Sequence, residues 1–248
     1  MATASAASRP LAPPAARDRV FYSGMAIAMT LTALIGFAKT YYLNPVLGGN
    51  VTISGKPYST AVHVHAAVFT LWLVLLITQT TLVATRRVAL HRKLGIFGGV
   101  LAATMIVVGV LTAFERARLG AAPPGANPFA FLAVPLGDIA TFAIFIAAAF
   151  WWRNDKEKHK RLVVLASTCL MTAAWARWPG VLPLGPLGYY SLTLLFPIAG
   201  IVYDKVTRGK VHPAYLWGTA LIVLAVPVRI ALIMSPAWQR LMQSVVAG

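Results

Sequence analysis

Residues 60–93, TAVHVHAAVFTLWLVLLITQTTLVATRRVALHRK, decide the fold. The run 60–84 contains no Lys, Arg, Asp or Glu, and it exceeds the roughly 20 apolar residues that a helix needs to cross about 30 Å of hydrocarbon. Arg86, Arg87, Arg92 and Lys93 follow at once, and a second apolar run then occupies 94–114. Two such runs joined by a short basic turn make a helical hairpin across a bilayer, with the turn held at the cytoplasmic face.

Working outward from this hairpin, further apolar runs lie at 21–43, 128–152, 161–178, 186–204 and 213–234. The reading is an all-α polytopic transmembrane helical bundle of seven spans over 21–234. Pro10, Pro13 and Pro14 interrupt a Ala/Ser/Arg-rich start, so 1–20 is expected to be a disordered cytoplasmic tail. After Pro236 the stretch 235–248 reads as a short amphipathic segment lying in the interface. Pro179, Gly180, Pro183, Gly185 and Pro186 mark an irregular connection between spans five and six.

Orientation follows from the cations. Most of the 22 Lys and Arg fall in the tail and in three turns, at Arg86 to Lys93, Arg153 to Arg161 and Lys205 to Lys210. The positive-inside rule places those turns and the amino terminus in the cytoplasm, and seven spans then leave the carboxyl terminus outside. Each of the three turns also carries a histidine (His91, His159, His212) beside its cations, an arrangement able to hold an anionic headgroup or simply demanded by topology.

Composition agrees. With 58% hydrophobic and 11% charged residues, the chain cannot be wrapped in a water-soluble surface, so the lipid bilayer is its main partner. The net charge of +16 belongs to cytoplasmic turns, and no nucleic-acid-binding pattern accompanies it. The lone Cys169 excludes an intramolecular disulfide framework and a Cys-based metal knuckle. Nucleophile motifs, phosphate loops and zincin helices are absent from the sequence, as is the mid-span lysine that a retinal Schiff base in the last span requires. Asn50-Val51-Thr52 matches a glycosylation sequon, which matters only in a eukaryotic secretory context.

Ionisable groups inside a span are costly and therefore mark candidate chemistry. Asp138 follows Pro135 by three residues and Arg229 follows Pro227 by two, so each charge neighbours a helix break that frees backbone carbonyls. This predicts an outward-opening polar pocket between spans two, four and seven, with Asp138 paired to Arg229 or to an inward-facing histidine. His63 and His65 open span two. Two positions apart on a helix they point about 200° from one another, so one faces the bundle and one does not. As metal ligands they lack a third partner at their level, and no metal site is expected. Trp72 falls mid-span, where it either lines a flat cofactor or packs. His63, His65, Trp72, Asp138 and Arg229 are the candidate cofactor-binding residues. Lys39 and Arg177 are expected to snorkel, Glu115 to sit in a solvated turn, and Gly95 with Gly99 to allow a close helix contact.

His63-Val64-His65, Phe69, Trp72, Gln79, Arg87 and Leu90-His91-Arg92-Lys93-Leu94-Gly95 together resemble an uncharacterised family of bacterial multi-pass inner-membrane proteins. The likeness continues through Asp138, His159-Lys160-Arg161-Leu162, Arg177-Trp178-Pro179, Tyr203-Asp204 and Val211-His212-Pro213. It implies residence in the bacterial plasma membrane and transfers no reaction. Spans two and three also resemble, more faintly, the haem-bearing hairpins of cytochrome b561-like proteins, which implies haem b, although a second outer-layer histidine is missing here. Three functions follow as expectations: a protein holding haem or quinone in its pocket, a small-solute or proton-coupled transporter, or an accessory subunit docking partners in a respiratory or photosynthetic complex.

Overall fold

The computed structural model describes residues 14–47 and 54–247, which form a bundle of α-helices. Residues 1–13 of the expected tail and the Asn50 sequon lie outside the described residues. From Pro14 the chain is already helical, so Arg17, Asp18 and Arg19 belong to the first helix instead of a tail.

Helix α1 (Pro14–Phe37) widens into one π-type turn at Ala38–Tyr42. Helix α2 (Thr60–Ala84) starts under the Ser59 hydroxyl, which accepts from the Val62 amide at 3.3 Å, and α3 (Val88–Arg118) returns antiparallel to it. A short α4 (Pro128–Phe131) leads into α5 (Ala133–Trp151), α6 (Lys156–Cys169) into α7 (Met171–Trp175), and α8 (Gly185–Thr193) into α9 (Leu195–Arg208). Helix α10 (Pro213–Met234) and an end-lying α11 (Pro236–Ala247) complete the chain.

Residue chemistry explains the breaks. Pro135 cannot donate to Phe131, and Pro197 cannot donate to Thr193, so α4/α5 and α8/α9 part at Leu132 and Leu194. The α6/α7 break at Leu170 follows two side chains that bond back to their own helix, Thr168 Oγ1 to Val164 O (2.8 Å) and Cys169 Sγ to Leu165 O (3.3 Å). At the far end of α9, Gly209 takes the left-handed conformation (φ 72°) that ends a helix without steric cost.

Among the described residues, six helical stretches are long and apolar enough to cross a membrane: Ala16–Tyr42, Thr60–Ala84, Val88–Arg118, Pro128–Trp151, Leu182–Arg208 and Pro213–Met234. Their outward faces carry exposed Ile27, Leu31, Ile96, Val100, Val107, Leu216 and Leu224, a surface that only lipid solvates well. The chain is an integral membrane protein by this measure. The sequence reading has seven spans, and 161–178 is the one outside this set. Its helix opens on Lys156, Glu157, Lys158, His159, Lys160 and Arg161 and stops at Cys169, so little apolar length remains. Protein covers what lipid does not: Val164, Leu165, Ala166, Ser167, Thr168, Cys169, Met171 and Ala174 are all buried, and α6 packs against α1, α5, α9 and α10.

Small residues let the neighbours come that close. A Cβ on Gly36 would collide with the Ala174 backbone carbonyl, and one on Gly200 would enter the ring of fully buried Tyr215. Gly95 and Gly99 do not share a partner as the small-xxx-small reading implies: Gly95 faces Gln79 of α2, whereas Gly99 faces Phe150 of α5.

A network of charges ties one end of the bundle together. Fully buried Arg161 donates Nε to Asp204 Oδ2 (2.8 Å) and Nη2 to Asp204 Oδ1 (2.5 Å), and its Nη1 reaches both the Glu157 carbonyl (2.7 Å) and carboxylate (2.8 Å). Asp18 accepts from Lys160 (2.6 Å), Tyr203 (2.7 Å) and Arg208 (2.6 Å), so α1, α6 and α9 meet in one mesh. The His212 amide adds α10 through Asp204 at 3.1 Å. At the other end Ser59 donates to Glu115 (2.8 Å), Trp178 Nε1 to the Thr32 carbonyl (3.0 Å), and Arg118 to the Val246 carbonyl. Helices α6 and α7 therefore run from the first end to the level of Thr32 and Gly36.

Removing one member of a buried, bidentate pair strands the other charge, which costs about 3–5 kcal/mol. Asp204→Ala is expected to lower the melting temperature in mild detergent by a corresponding margin, whereas Gly24→Ala, with open space around its Cβ position, should leave it unchanged or higher. Burial pushes the Glu157 carboxyl up, but hydrogen bonds from Arg161 and Lys160 more than reverse this and hold it below its ordinary value. A carboxylate held low stabilises the fold above its unfolded pKa and loses that contribution as pH falls through the folded one. Detergent-solubilised protein should accordingly lose stability as pH drops below the ordinary glutamate range, and Glu157→Gln should flatten that part of the profile.

Candidate functional site

The two proline-associated charges meet. Arg229 Nη2 of α10 lies 3.0 Å from Asp138 Oδ1 of α5 and donates to Thr141 Oγ1 at 3.0 Å. Thr141 in turn bonds back to the Gly137 carbonyl at 2.7 Å. Arg229 and Asp138 are 5% and 9% exposed, which places an ion pair inside the bundle, where each charge has given up most of its hydration. The Tyr190 ring of α8 lies 5.7 Å from the guanidinium carbon and offers its π face. Gly137 makes the approach possible, because a Cβ there would strike Arg229 Nε. That Nε is buried without a hydrogen-bond partner. Tyr189 and Cys169 lie within electrostatic range of the carboxyl.

A groove of about 440 Å³ runs over Arg229 and Thr141, between α5 and α10. Its walls are Leu136, Ala140, Leu221, Ala225 and Leu232, with Gly137, Thr141 and Arg229 at the floor and Trp238 of α11 across one end. The rim residues Leu224 and Val228 are 63% and 59% exposed on the apolar outer surface. The groove thus opens sideways. The expected pocket between spans two, four and seven is corrected here: the helices of spans four and seven build the site, α11 walls it, and α2 does not line it.

The remaining candidates lie elsewhere. His63 is exposed, with Nδ1 3.0 Å from the Tyr41 hydroxyl and its ring 5.7 and 5.8 Å from those of Tyr41 and Tyr58. His65 stacks on Phe69 at 4.0 Å, and its Nδ1 is buried without a partner. The two imidazoles take different partners, as helical geometry requires. Neither touches Asp138 or Arg229. Trp72 is 5% exposed, donates to Ser167 Oγ at 3.3 Å and meets Phe142 edge-on at 5.5 Å; it is core beneath the site and does not line the groove. Arg177 covers the Phe37 ring at 4.6 Å and donates to the Ala173 carbonyl at 2.6 Å, so it is held by the protein.

A bis-imidazole haem needs two histidines facing one another across a porphyrin, and these residues do not fit it. The only interhelical histidine pair among the described residues is His91 with His159, ring centroids 6.3 Å apart at the Asp18 end. His159 Nδ1 is engaged by the Ala149 carbonyl at 2.9 Å, and the Gln79 amide, with its nitrogen toward His91 Nδ1, lies at 2.7 Å. No group of three His, Cys, Asp or Glu gathers among the described residues.

Sequence reasoning missed the Asp18–Glu157–Arg161–Asp204–Arg208 mesh, reading its cations as basic turns demanded by membrane topology. The signal was there: only six acids occur in the chain, and Asp18, Glu157 and Asp204 all fall close to the clustered cations of the amino-terminal region and the basic turns. Comparison with protein-family models, curated proteins and solved structures found no match.

If the Asp138–Arg229 pair is a desolvated unit, its members are not additive. Asp138→Leu alone should cost about 3–5 kcal/mol by stranding Arg229, while adding Arg229→Met to it should recover most of that loss; thermal unfolding of the wild type, Asp138→Leu, Arg229→Met and the double variant completes the cycle.

Proposed function

We propose that this protein crosses the bacterial plasma membrane seven times, amino terminus inside, and binds a lipophilic molecule with a neutral oxygen-acceptor head, of which a quinone is the best-fitting class. One observation carries the reading: the lipid-facing groove is apolar along its walls and ends on a guanidinium and a threonine hydroxyl. Lateral opening suits a ligand that partitions into the bilayer, and the volume falls within the roughly 300–1,000 Å³ of small-molecule sites. Asp138 already compensates the charge of Arg229, so a carbonyl oxygen gains a donor there without the mismatch that a phosphate would meet. Trp238 offers an aromatic wall against which a flat ring packs.

The seventh crossing is the α6–α7 segment, insulated from lipid by its neighbours. With it, the meshed end carrying Asp18, Glu157 and Arg208 lies in the cytoplasm, and the end carrying Glu115 and α11 lies outside, in keeping with the excess of cations at the former.

Binding is read as ligand-linked stabilisation. A decyl-chain benzoquinone should raise the melting temperature of the detergent-solubilised protein in a saturable way. Ala140→Phe, which fills the groove from an exposed position and leaves the ion pair intact, should abolish the rise without lowering the melting temperature of the free protein. Equal stabilisation of wild type and Ala140→Phe, or none in either, would remove quinone binding from this groove.

A further inference from the structure

A second hollow, of about 360 Å³, sits at the Glu115 end on the other side of the same helices. Loop residues Ala126 and Asn127, Val134 of α5, Tyr189 of α8, Ile233 of α10 and Gln239 of α11 line it. Helical spacing ties this vestibule to the ion pair. Phe131, which also lines it, Val134 and Asp138 follow one another at three- and four-residue steps along one face of α4–α5, so Asp138 is the next position beneath the vestibule wall. Arg229 lies four residues before Ile233 on α10, in the same relation. From α8, Tyr189 lines the vestibule while the adjacent Tyr190 covers the guanidinium. Leu136, Gly137 and Ala140, by contrast, turn to the lipid-facing groove. By this spacing the ion pair lies between the lateral apolar slot, which Arg229 lines, and the hollow, whose walls end one helical step from Asp138 and Arg229.

We propose that the vestibule is the water path by which Asp138 exchanges protons with the external solution, making this carboxyl the proton-transfer group of the lipid-facing site. The groups facing Asp138 are Arg229 from α10, Tyr189 and Tyr190 from α8, Cys169 from α6 and Thr141 on its own helix. Of these, Arg229 alone is cationic, and only its Nη2 reaches the carboxylate, which keeps 13% of its side-chain surface uncovered. The assignment of the ligand rests on the quinone reading; the proton path does not.

Two measurements on the full chain test it. In a Cys169→Ala background, Val134→Cys and Ile233→Cys should react with a charged, membrane-impermeant thiol reagent added outside intact cells, whereas Ala140→Cys and Ala225→Cys should react only with an apolar maleimide. In proteoliposomes of known orientation, an apolar carbodiimide, which modifies protonated carboxyls within membranes, should label Asp138 several-fold more when the outer pH alone is lowered by about two units. Ala126→Trp, at an exposed loop position of the vestibule, should suppress that response. Labelling that follows the inner pH, that ignores both, or that persists unchanged in Ala126→Trp would overturn the proposal, as would protection of both vestibule cysteines from the external reagent. If quinone stabilisation is absent while this pattern holds, the ligand assignment falls and the proton path stands.

Discussion

The bundle depends on the burial of Arg161 against Asp204. A guanidinium with no exposed surface is tolerated only when its donors are occupied, and here Asp204 takes two of them while Glu157 takes a third through both its carbonyl and its side chain. That requirement fixes the separation and rotation of α6 and α9. Arg208 and Lys160 then bring in α1 through Asp18, which explains why the first helix is ordered as far back as Pro14 despite a Pro- and Ala-rich start. Around this anchored end the helices pack by close approach at glycine, with Gly200 against Tyr215 and Gly218 against Leu165. In a membrane, such contacts carry much of the association, because apolar side chains gain little by leaving lipid for protein.

The second buried pair differs in kind. Arg161 has carboxylates of Asp204 and Glu157 on its nitrogens; Arg229 has one carboxylate oxygen, one hydroxyl and an aromatic ring, and its Nε has nothing. A pair so sparsely satisfied adds little to stability, and the proposed ligand groove and water path are read from its place beside two hollows.

Much of this was legible in the residues. Apolar length located the membrane-crossing helices, and the rarity of charges within them, together with Pro135 and Pro227, singled out Asp138 and Arg229 before any contact was known. What was not legible depends on three-dimensional company. Residues 161–178 look like a lipid-facing span in one dimension, since Ser167, Thr168 and Thr172 count only slightly against an apolar average; their burial on every side follows from neighbours far away in the chain. The basic turns read so readily as a positive-inside pattern that the acids beside them were not read as their partners. His63 and His65 drew attention as metal-capable side chains, yet a two-residue spacing sends them to Tyr41 and Phe69. Nothing in 235–248 indicates that Trp238 would wall a groove formed by α5 and α10.

The α6–α7 segment carries one more consequence, for biogenesis. If it crosses the bilayer, it must do so with Arg161 and several hydroxyls that a translocon would not release readily into lipid on their own. Its companions Asp204 and Tyr215 are synthesised 43 and 54 residues after Arg161, so during translation the segment has to wait beside α1 and α5 until α9 and α10 emerge. Assembly of this protein is then not a series of independent insertions: the helix at its centre is the last to settle, although it is neither the last made nor close to either terminus.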